Sequence, residues 1–278
     1  MRIAAVQMNP GSDKAHNIDQ AGRLIDEALA SDRIDMIALP EMWTCLGGDM
    51  ATKRAAAERL PAKGSNAPGG SAYEFLRLLA RQRNIFVHGG SLGEDADGTL
   101  FNTTVVFNPE GVEIARYRKI HLFDITTPDG LGYRESSTYG FGTELITFDA
   151  GELKMGCAIC YDIRFPELFS GLRRLGADVI FIPSAFTVQT GRDHWEPLLR
   201  ARAIETQCWF VAPATWGRHT DARGGARFTF GHSIICNPWG HIVAQCSDGP
   251  GCITASIDRK MMMKIREDMP VSEHRRLQ

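Results

Sequence analysis

The sequence predicts an α/β layered sandwich whose sheets mix parallel and antiparallel strands. Short apolar segments of strand length alternate along the chain with longer amphipathic segments of helical period. Turn sequences at 108–111 and 237–240 join some strands directly into hairpins, whereas other strands are separated by a helix. Hairpins produce antiparallel pairs and helical crossovers produce parallel pairs, so both are expected here. Because no segment is linker-like or repeated, the 278 residues are expected to form one domain, 1–278.

The strands are predicted from short apolar runs bounded by Gly, Pro, Asn or Asp. The run at 36–39 is apolar throughout, as in a buried strand, and it ends at Pro40. A hairpin is expected between 103–107 and 112–117, because Asn-Pro-Glu-Gly at 108–111 is a turn signal. In chain order the predicted strands are 3–8, 36–39, 85–91, 103–107, 112–117, 145–149, 153–159, 179–182, 209–212, 233–236, 241–244 and 252–257.

The helices are predicted from apolar residues that recur at intervals of three and four. Ser71 is expected to cap the second helix, with Glu74 completing a capping box. Asp258 is expected to cap the last helix, which Pro270 stops. The segment 121–142 is long and irregular, which is typical of a functional lid or a disordered segment. The predicted helices are 14–30, 71–83, 166–175, 194–207 and 258–267.

The composition argues against several classes of function. The chain has 31 Lys and Arg against 33 Asp and Glu, so no basic excess favours a nucleic-acid partner. The apolar stretch at the N-terminus is too short for a signal peptide, and no run approaches the roughly 18 apolar residues of a membrane span. Seven scattered cysteines do not fit a secreted disulfide framework. We therefore expect a cytoplasmic protein with neither a membrane nor a nucleic acid as partner.

Cys160 is the candidate nucleophile, because it lies between the strand at 153–159 and the helix at 166–175. Such a turn exposes a side chain at the sheet end, and a helix N-terminus favours the thiolate and offers donors to an oxyanion. A cysteine taken at random is more often a core residue. Cys157 makes a Cys-x-x-Cys pair with it, but no second pair or suitably spaced histidines complete a zinc site. Cys157 is therefore assigned to the core, with a thiol-redox role as an alternative.

Three charged residues are candidates to assist the thiol. A thiol of ordinary pKa, about 8.5, needs a base at neutral pH, and a buried carboxylate can serve. Glu41 follows the strand at 36–39, at the end where ligands of α/β sheets collect, although a helix-entry carboxylate explains it equally well. Lys119, at the end of the strand at 112–117, is a candidate to stabilise an oxyanion, or else a solvated charge. Glu135 by itself is typical of an exposed loop acid.

Three blocks of sequence stand in a specific order and spacing. They are Leu39-Pro40-Glu41, Tyr117-Arg118-Lys119-Ile120-His121-Leu122-Phe123-Asp124 and Cys160-Tyr161-Asp162-Ile163-Arg164-Phe165-Pro166-Glu167-Leu168. Together they resemble the nitrilase superfamily of carbon–nitrogen hydrolases, and the similarity extends over nearly the whole chain. The residues after the cysteine resemble the Nit branch. Within that branch, 203–208 is more similar to deaminated-glutathione amidases than to ω-amidases.

The resemblance implies a four-layer α-β-β-α sandwich with two mixed β-sheets, usually paired as a homodimer. It implies a Glu-Lys-Cys triad, here Glu41, Lys119 and Cys160, with Glu135 as a second acid. It implies amide hydrolysis through a thioester, for which neither a metal nor an organic cofactor is expected. The stretch 223–227 is less typical of the family and is expected to alter the pocket rim.

Four further residues are candidates to bind substrate. The backbone N–H of Tyr161 is expected to hold the oxyanion. Arg164 is expected to clamp a substrate carboxylate, unless it pairs with an acid such as Glu167. Phe186 and Thr190 are expected to wall the pocket, although a structural role is the safer assignment for Phe186.

The substrate implied by the resemblance is a small α-keto acid amide. Deaminated glutathione, which would give α-ketoglutarate and Cys-Gly, is the first choice. An ω-amidase acting on α-ketoglutaramate and an N-carbamoyl amine or amino acid amidohydrolase are alternatives within the same chemistry. A scaffold or binding protein that has kept the fold is the non-enzymatic alternative, and the presence of all four catalytic residue types disfavours it.

Overall fold

The computed structural model describes residues 1–127, 130–220 and 225–276. Every predicted strand is present, with shifts of a few residues at the ends. The strands are β1 (Arg2–Gln7), β2 (Met36–Ala38), β3 (Phe86–His88), β4 (Leu92–Ala96), β5 (Thr99–Phe107), β6 (Glu113–Arg118), β7 (Asp124–Thr126), β8 (Gly132–Arg134), β9 (Thr147–Ala150), β10 (Leu153–Cys157), β11 (Val179–Phe181), β12 (Trp209–Ala212), β13 (Trp216–Thr220), β14 (Ala226–Phe230), β15 (Ile234–Cys236), β16 (Ile242–Gln245) and β17 (Gly251–Ser256).

The predicted helices are also present, and the last begins as expected. The side chain of Asp258 accepts a hydrogen bond from the Met261 N–H at 3.0 Å and so caps this helix. Across the described ranges, no helix is long and apolar enough to cross a bilayer. The helices are α1 (Lys14–Ser31), α2 (Met50–Ala56), α3 (Ser71–Arg83), α4 (Pro166–Arg174), α5 (Val188–Thr190), α6 (Glu196–Thr206), α7 (Arg259–Asp268) and α8 (Val271–His274).

Most of the described strands form two mixed sheets, and the remaining ones form the antiparallel ribbons β7–β8 and β13–β14. Within the described residues the first sheet has the order β17-β1-β2-β3-β5-β4, with β6 also paired to β5, and the second has the order β16-β15-β12-β11-β10-β9. Parallel pairing runs from β1 through β2 to β3 and from β10 through β11 to β12. The outer pairs are antiparallel, including the predicted β5–β6 hairpin. Carboxyl ends of parallel strands meet at one edge of each sheet, and this edge positions the site.

The sheets stack face to face with helices outside. Ile3 and Ala5 of β1 pack in the core between the sheets, whereas Ala4 and Val6 pack under α1 and α3. Successive side chains of a strand point to opposite faces, so both faces of β1 are buried, and its residues 3–6 are all apolar. Helices α4 and α6 cover the outer face of the second sheet. The result is the expected four-layer α-β-β-α sandwich.

The N-terminus of α3 is capped differently from the sequence prediction. Ser71 is the first helical residue, and the structure records no side-chain cap from the residue before it. The carboxylate of Glu58 instead accepts the N–H groups of Ala72 and Tyr73 at 2.8 and 3.0 Å. The predicted capping box with Glu74 is therefore wrong, because an acid distant in sequence satisfies these donors.

Besides the short helices α5 and α8, six elements occur where the sequence pattern is weak. They are α2, β4, the ribbon β7–β8 and the ribbon β13–β14. The ribbon β7–β8 lies within 121–142, which is therefore more regular than predicted. Residues 128–129 of that segment, and 223–224 of the stretch at 223–227, lie outside the described residues.

Candidate active site

Cys160 lies on a tight turn after β10, as predicted. It begins a single 3-10 turn, Cys160–Arg164, which leads into α4. Its φ is +47°, in the left-handed region that costs a residue with a side chain about 1–3 kcal/mol. The Cys160 N–H donates to the Pro183 carbonyl at 3.0 Å, and the Ala185 N–H hydrogen-bonds the thiol. These hydrogen bonds therefore hold the Cys160 backbone in a strained conformation, which places the sulfur at the end of the second sheet.

A buried carboxylate anchors this turn. Asp162 accepts hydrogen bonds from the Ile159 N–H at 2.8 Å and from the Tyr117 hydroxyl at 2.7 Å. The His121 N–H and Nδ1 lie 3.0 and 2.8 Å from its other oxygen. Because Tyr117 and His121 belong to the first sheet and its following loop, Asp162 ties the Cys160 turn across the interface between the sheets.

Glu41 is positioned by a crowded turn after β2. The Met42 N–H donates to the Ser91 hydroxyl at 3.0 Å, and Met42 has a φ of +48°. Gly90 approaches so closely that a Cβ there would lie 2.1 Å from the Pro40 carbonyl oxygen. A glycine is required at this approach, and the packing leaves Glu41 only 4% exposed.

Lys119 bridges two acids beside Cys160. Its Nζ lies 2.9 Å from Glu41 Oε1 and 2.8 Å from Glu135 Oε2. Lys119 is only 1% exposed, and it follows β6 directly. Glu135, in the 3-10 turn after β8, also accepts the Phe123 N–H at 2.7 Å. The structure thus brings together all four residues that the sequence predicts as catalytic.

Electrostatics keep the resting thiol protonated. Burial raises the pKa of the Cys160 thiol well above its ordinary value, and the Glu41 carboxylate beside it raises the pKa further, whereas Lys119 lowers it. The expectation that a strand-to-helix position favours the thiolate is therefore wrong, because burial outweighs the single 3-10 turn. A base is needed to ionise this thiol.

Lys119 stays charged in the same surroundings. Burial lowers the pKa of Lys119, but the carboxylates of Glu135 and Glu41 more than offset this and hold the pKa well above its ordinary value. The ammonium group is therefore a fixed cation at neutral pH, within the buried cluster. A preorganised cation of this kind can stabilise the oxyanion that forms on a carbonyl oxygen when the neighbouring sulfur attacks the carbonyl carbon.

A pocket with a cavity of about 250 Å³ opens onto these four residues. Tyr161, Phe186 and Thr190 line it. A wall position is what the sequence predicts for Phe186 and Thr190, whereas the oxyanion role of the Tyr161 N–H stays a prediction. Arg164 lies outside the lining: its guanidinium stacks over the rings of Tyr161 and Phe186 and lies 3.3 Å from His194 Nδ1. Among the described residues Arg164 makes no ion pair with Glu167 or another acid, and its carboxylate clamp stays a prediction.

Several residues of the site were missed or only approximately located. Asn102, fully buried on β5, donates hydrogen bonds to both acids, but it precedes the predicted strand 103–107 and adjoins polar threonines, so no local signal marked it. Lys53 lines the pocket from α2, a helix that the sequence did not predict. Arg227 also lines it, so the described end of the stretch 223–227 lies where a pocket rim was expected. Cys157 is fully buried in the core between the sheets.

The fold is an α-β-β-α sandwich, and a buried thiol lies at its sheet ends beside two acids and a lysine. The family model of the carbon-nitrogen hydrolases matches residues 2–267, so the chain belongs to this family. The predicted membership is therefore confirmed. The chain is accordingly a hydrolase that acts on carbon–nitrogen bonds other than peptide bonds.

Curated relatives carry two different names. The deaminated glutathione amidase of Synechocystis sp. is 37% identical, over 98% of this chain and 97% of its own length. The human omega-amidase NIT2 is 35% identical, over 99% of this chain and 95% of its own length. These values confirm similarity to the Nit branch.

Solved structures agree in fold. Saccharomyces cerevisiae Nit3, described as a member of branch 10 of the nitrilase superfamily, has a TM-score of 0.87 and 30% identity, over 100% of this chain and 97% of that one. The C. elegans NitFhit protein has a TM-score of 0.87 and 37% identity. This chain is covered to 99% in that match but spans only 65% of the NitFhit chain.

Proposed function

We propose that this protein is a cysteine-dependent amidase that hydrolyses a small α-keto acid amide through a thioester, with deaminated glutathione as its substrate. One observation carries the proposal. Lys119 bridges Glu41 at 2.9 Å and Glu135 at 2.8 Å, beside a buried Cys160 thiol whose pKa is raised by burial and by Glu41. This arrangement supplies a nucleophile, a base and an oxyanion stabiliser within one pocket.

Acylation begins with a proton transfer. Glu41 accepts the thiol proton of Cys160, and the thiolate attacks the amide carbon, so that a carbon–sulfur bond forms. Lys119 and the Tyr161 N–H hold the resulting oxyanion, and each such donor is typically worth about a hundredfold or more in rate. Glu41 then returns the proton to the leaving amine as the carbon–nitrogen bond breaks. The amine departs and the acyl group stays on sulfur.

Deacylation repeats the same steps with water. Glu41 removes a proton from a water molecule, which attacks the thioester carbon, and the oxyanion occupies the same donors. The carbon–sulfur bond then breaks, the acid product leaves, and Glu41 returns its proton to Cys160. Glu135 takes part in neither transfer. It holds Lys119 in place through the 2.8 Å contact and is itself held by the Phe123 N–H.

The choice of substrate rests on the relatives. Deaminated glutathione and α-ketoglutaramate would leave the same α-ketoglutaryl group on sulfur and differ only in the leaving amine, Cys-Gly or ammonia. A match named deaminated glutathione amidase, 37% identical, supports the first. The match named omega-amidase NIT2, 35% identical, makes α-ketoglutaramate the second candidate. An N-carbamoyl amine is the third.

A substrate panel tests the proposal. Wild-type protein is assayed with deaminated glutathione, α-ketoglutaramate and an N-carbamoyl amine, and kcat/KM is compared across the three. The highest value is expected for deaminated glutathione, and an acyl adduct on the Cys160 peptide is expected by mass spectrometry in rapidly quenched samples. Exclusive turnover of the N-carbamoyl amine would overturn the substrate choice. An absent adduct together with active Cys160→Ala protein would overturn the mechanism.

The assembly and its location are part of the same proposal. We take residues 1–278 to act as one domain, to pair as a homodimer and to work in the cytoplasm, as the resemblance and the cysteine usage lead us to expect. Light scattering of the purified chain should give twice the 30.7 kDa chain mass. A monomer at assay concentration would contradict the dimer without affecting the chemistry.

A further inference from the structure

The pocket carries more positive charge than its own acids balance. Among the described residues, four basic side chains line it against two acidic ones. The charge of Lys119 is engaged by Glu41 and Glu135 within the buried cluster. The other basic side chains therefore leave an excess of positive charge on the outer part of the lining, where a ligand would meet it. The remaining basic residues of the lining are Lys53, Arg134 and Arg227.

Two of these cations have no carboxylate in ion-pair contact among the described residues, although the charges of Glu135 and Asp49 act on Lys53 and partly offset the lowering of its pKa. Lys53 is half-buried on α2 and Arg227 is exposed on β14, and neither makes an ion pair within the described residues. Burial lowers the pKa of Lys53, and the charge of Arg227 lowers it further, so the two cations lie within electrostatic reach of each other. Arg134 differs, because its side chain donates to the neighbouring Tyr133 carbonyl at 3.1 Å.

We infer that Lys53 and Arg227 form a carboxylate subsite that binds the carboxylate end of the substrate while the amide carbon lies at Cys160. The inference rests on the proposed function and deepens it. A carboxylate between the two side chains relieves their mutual repulsion and replaces the hydration that Lys53 loses on burial. The Arg guanidinium offers paired donors to a carboxylate, and the Lys ammonium adds a point charge.

This subsite takes the role that the sequence suggested for Arg164. Arg164 is outside the lining, and its guanidinium is stacked over Tyr161 and Phe186. The cavity of about 250 Å³ lies below the roughly 300–1,000 Å³ of most ligand pockets. A compact acyl group with one terminal carboxylate, such as the α-ketoglutaryl group, therefore suits it better than a long or uncharged chain.

Kinetics on a charged and an uncharged amide test the subsite. Lys53→Met and Arg227→Gln are assayed with α-ketoglutaramate and with pentanamide, which lacks the carboxylate. Each variant should lose about tenfold to a hundredfold in kcat/KM on α-ketoglutaramate, mainly through KM, because one charge-assisted hydrogen bond is removed. Activity on pentanamide should change less than about twofold.

Matched controls exist for both variants. Arg54→Met removes a cation from the same helix as Lys53, and Arg218→Gln removes one from the same ribbon as Arg227; neither residue belongs to the lining. Both controls should keep wild-type kcat/KM on both amides. Equal losses on charged and uncharged amides in Lys53→Met would overturn the subsite. So would a charge-selective loss in Arg164→Gln without one in Lys53→Met or Arg227→Gln.

A binding measurement separates failure of the subsite from failure of the proposed function. Calorimetry with α-ketoglutarate on Cys160→Ala protein needs no turnover. Adding Lys53→Met should weaken this binding about tenfold, whereas adding Arg54→Met should not. If wild-type protein hydrolyses no amide but binds α-ketoglutarate in this Lys53-dependent way, the subsite stands and the amidase proposal falls. Binding that is indifferent to Lys53 and Arg227 refutes the subsite.

Discussion

The side-chain amide of Asn102 lies 2.9 Å from Glu41 Oε1 and donates a hydrogen bond to it. The same Nδ2 lies 3.2 Å from Glu135 Oε1 and donates a second. One amide and the Lys119 ammonium thus bridge the same pair of carboxylates. The backbone carbonyl of Asn102 also accepts the backbone N–H of Lys119 at 2.9 Å, so this buried residue contacts every charged member of the cluster.

Replacing Asn102 by Leu should lower kcat by about tenfold or more with little change in KM. The two acids would lose a shared donor, and their positions relative to the nucleophile would loosen. Steady-state kinetics measure the effect. Asn108→Leu is the control, because it removes an amide hydrogen bond from the turn of the same β5–β6 hairpin. A parallel fall of kcat in both variants would mean that Asn102 acts only through stability.

Glu41→Gln should change thiol reactivity and turnover in opposite directions. The Glu41 carboxylate raises the pKa of Cys160, and Lys119 lowers it, so removing the negative charge lowers the thiol pKa. At a fixed pH below that pKa, the thiolate fraction and the alkylation rate should therefore rise. Turnover should fall by about a hundredfold or more, because the base is gone.

Alkylation of the Cys160 peptide by iodoacetamide, followed by mass spectrometry across pH, measures the first effect. Cys157 is an internal control, because it is fully buried and should stay unmodified while the protein is folded. Cys160→Ala should abolish turnover and keep the thermal unfolding midpoint within a few degrees. If Glu41→Gln slows alkylation at every pH, the electrostatic coupling inferred for these two residues is wrong.

Glu135→Gln should narrow the pH range of activity from the alkaline side. The Glu135 carboxylate raises the pKa of Lys119, so the neutral amide lowers that pKa. A group with a raised pKa loses its proton at high pH, and a lower pKa moves this loss to lower pH. The alkaline limb of the kcat profile should therefore shift down. Glu144→Gln, an exposed acid nearby in the chain, should leave the profile unchanged.

The Cys160 turn should depend on Asp162 for both stability and rate. Asp162 is fully buried and accepts hydrogen bonds from Tyr117, Ile159 and His121. Asp162→Ala should cost about 3 kcal/mol of unfolding free energy, and Tyr117→Phe about 1 kcal/mol. Urea unfolding gives both values. Asp162→Ala should also lower kcat, because the φ of +47° at Cys160 is then less well enforced.

The sequence predicted those parts of the site that follow directly from strand ends. Glu41 follows β2 after two residues, Lys119 directly follows β6 and Cys160 follows β10, so the topology places them at sheet ends. Position alone left their roles open, and the family resemblance supplied the catalytic assignments, including that of Glu135. The apolar run at 36–39 likewise indicated a buried strand, and β2 is buried throughout. These predictions succeed because each depends on a few neighbouring residues.

The remaining parts depend on contacts between distant segments. Asn102 meets Glu41 across 61 positions of the chain, and no local pattern reveals that contact. Lys53 lies on a seven-residue helix too short for a periodic signal. The state of the Cys160 thiol was mispredicted for the same reason, since burial by remote segments outweighs the local turn.

The N-terminal cap of α3 comes from a residue distant in sequence, and the free energy of unfolding can test this. Glu58 caps the helix through Ala72 and Tyr73 and pairs with Lys14 at 2.5 Å, so Glu58→Ala should cost about 2 kcal/mol or more. Ser71→Ala should cost less than about 0.5 kcal/mol, because Ser71 is not the capping residue. Urea unfolding of the two variants decides between the caps. Equal costs, or a larger cost for Ser71→Ala, would favour the local capping box after all.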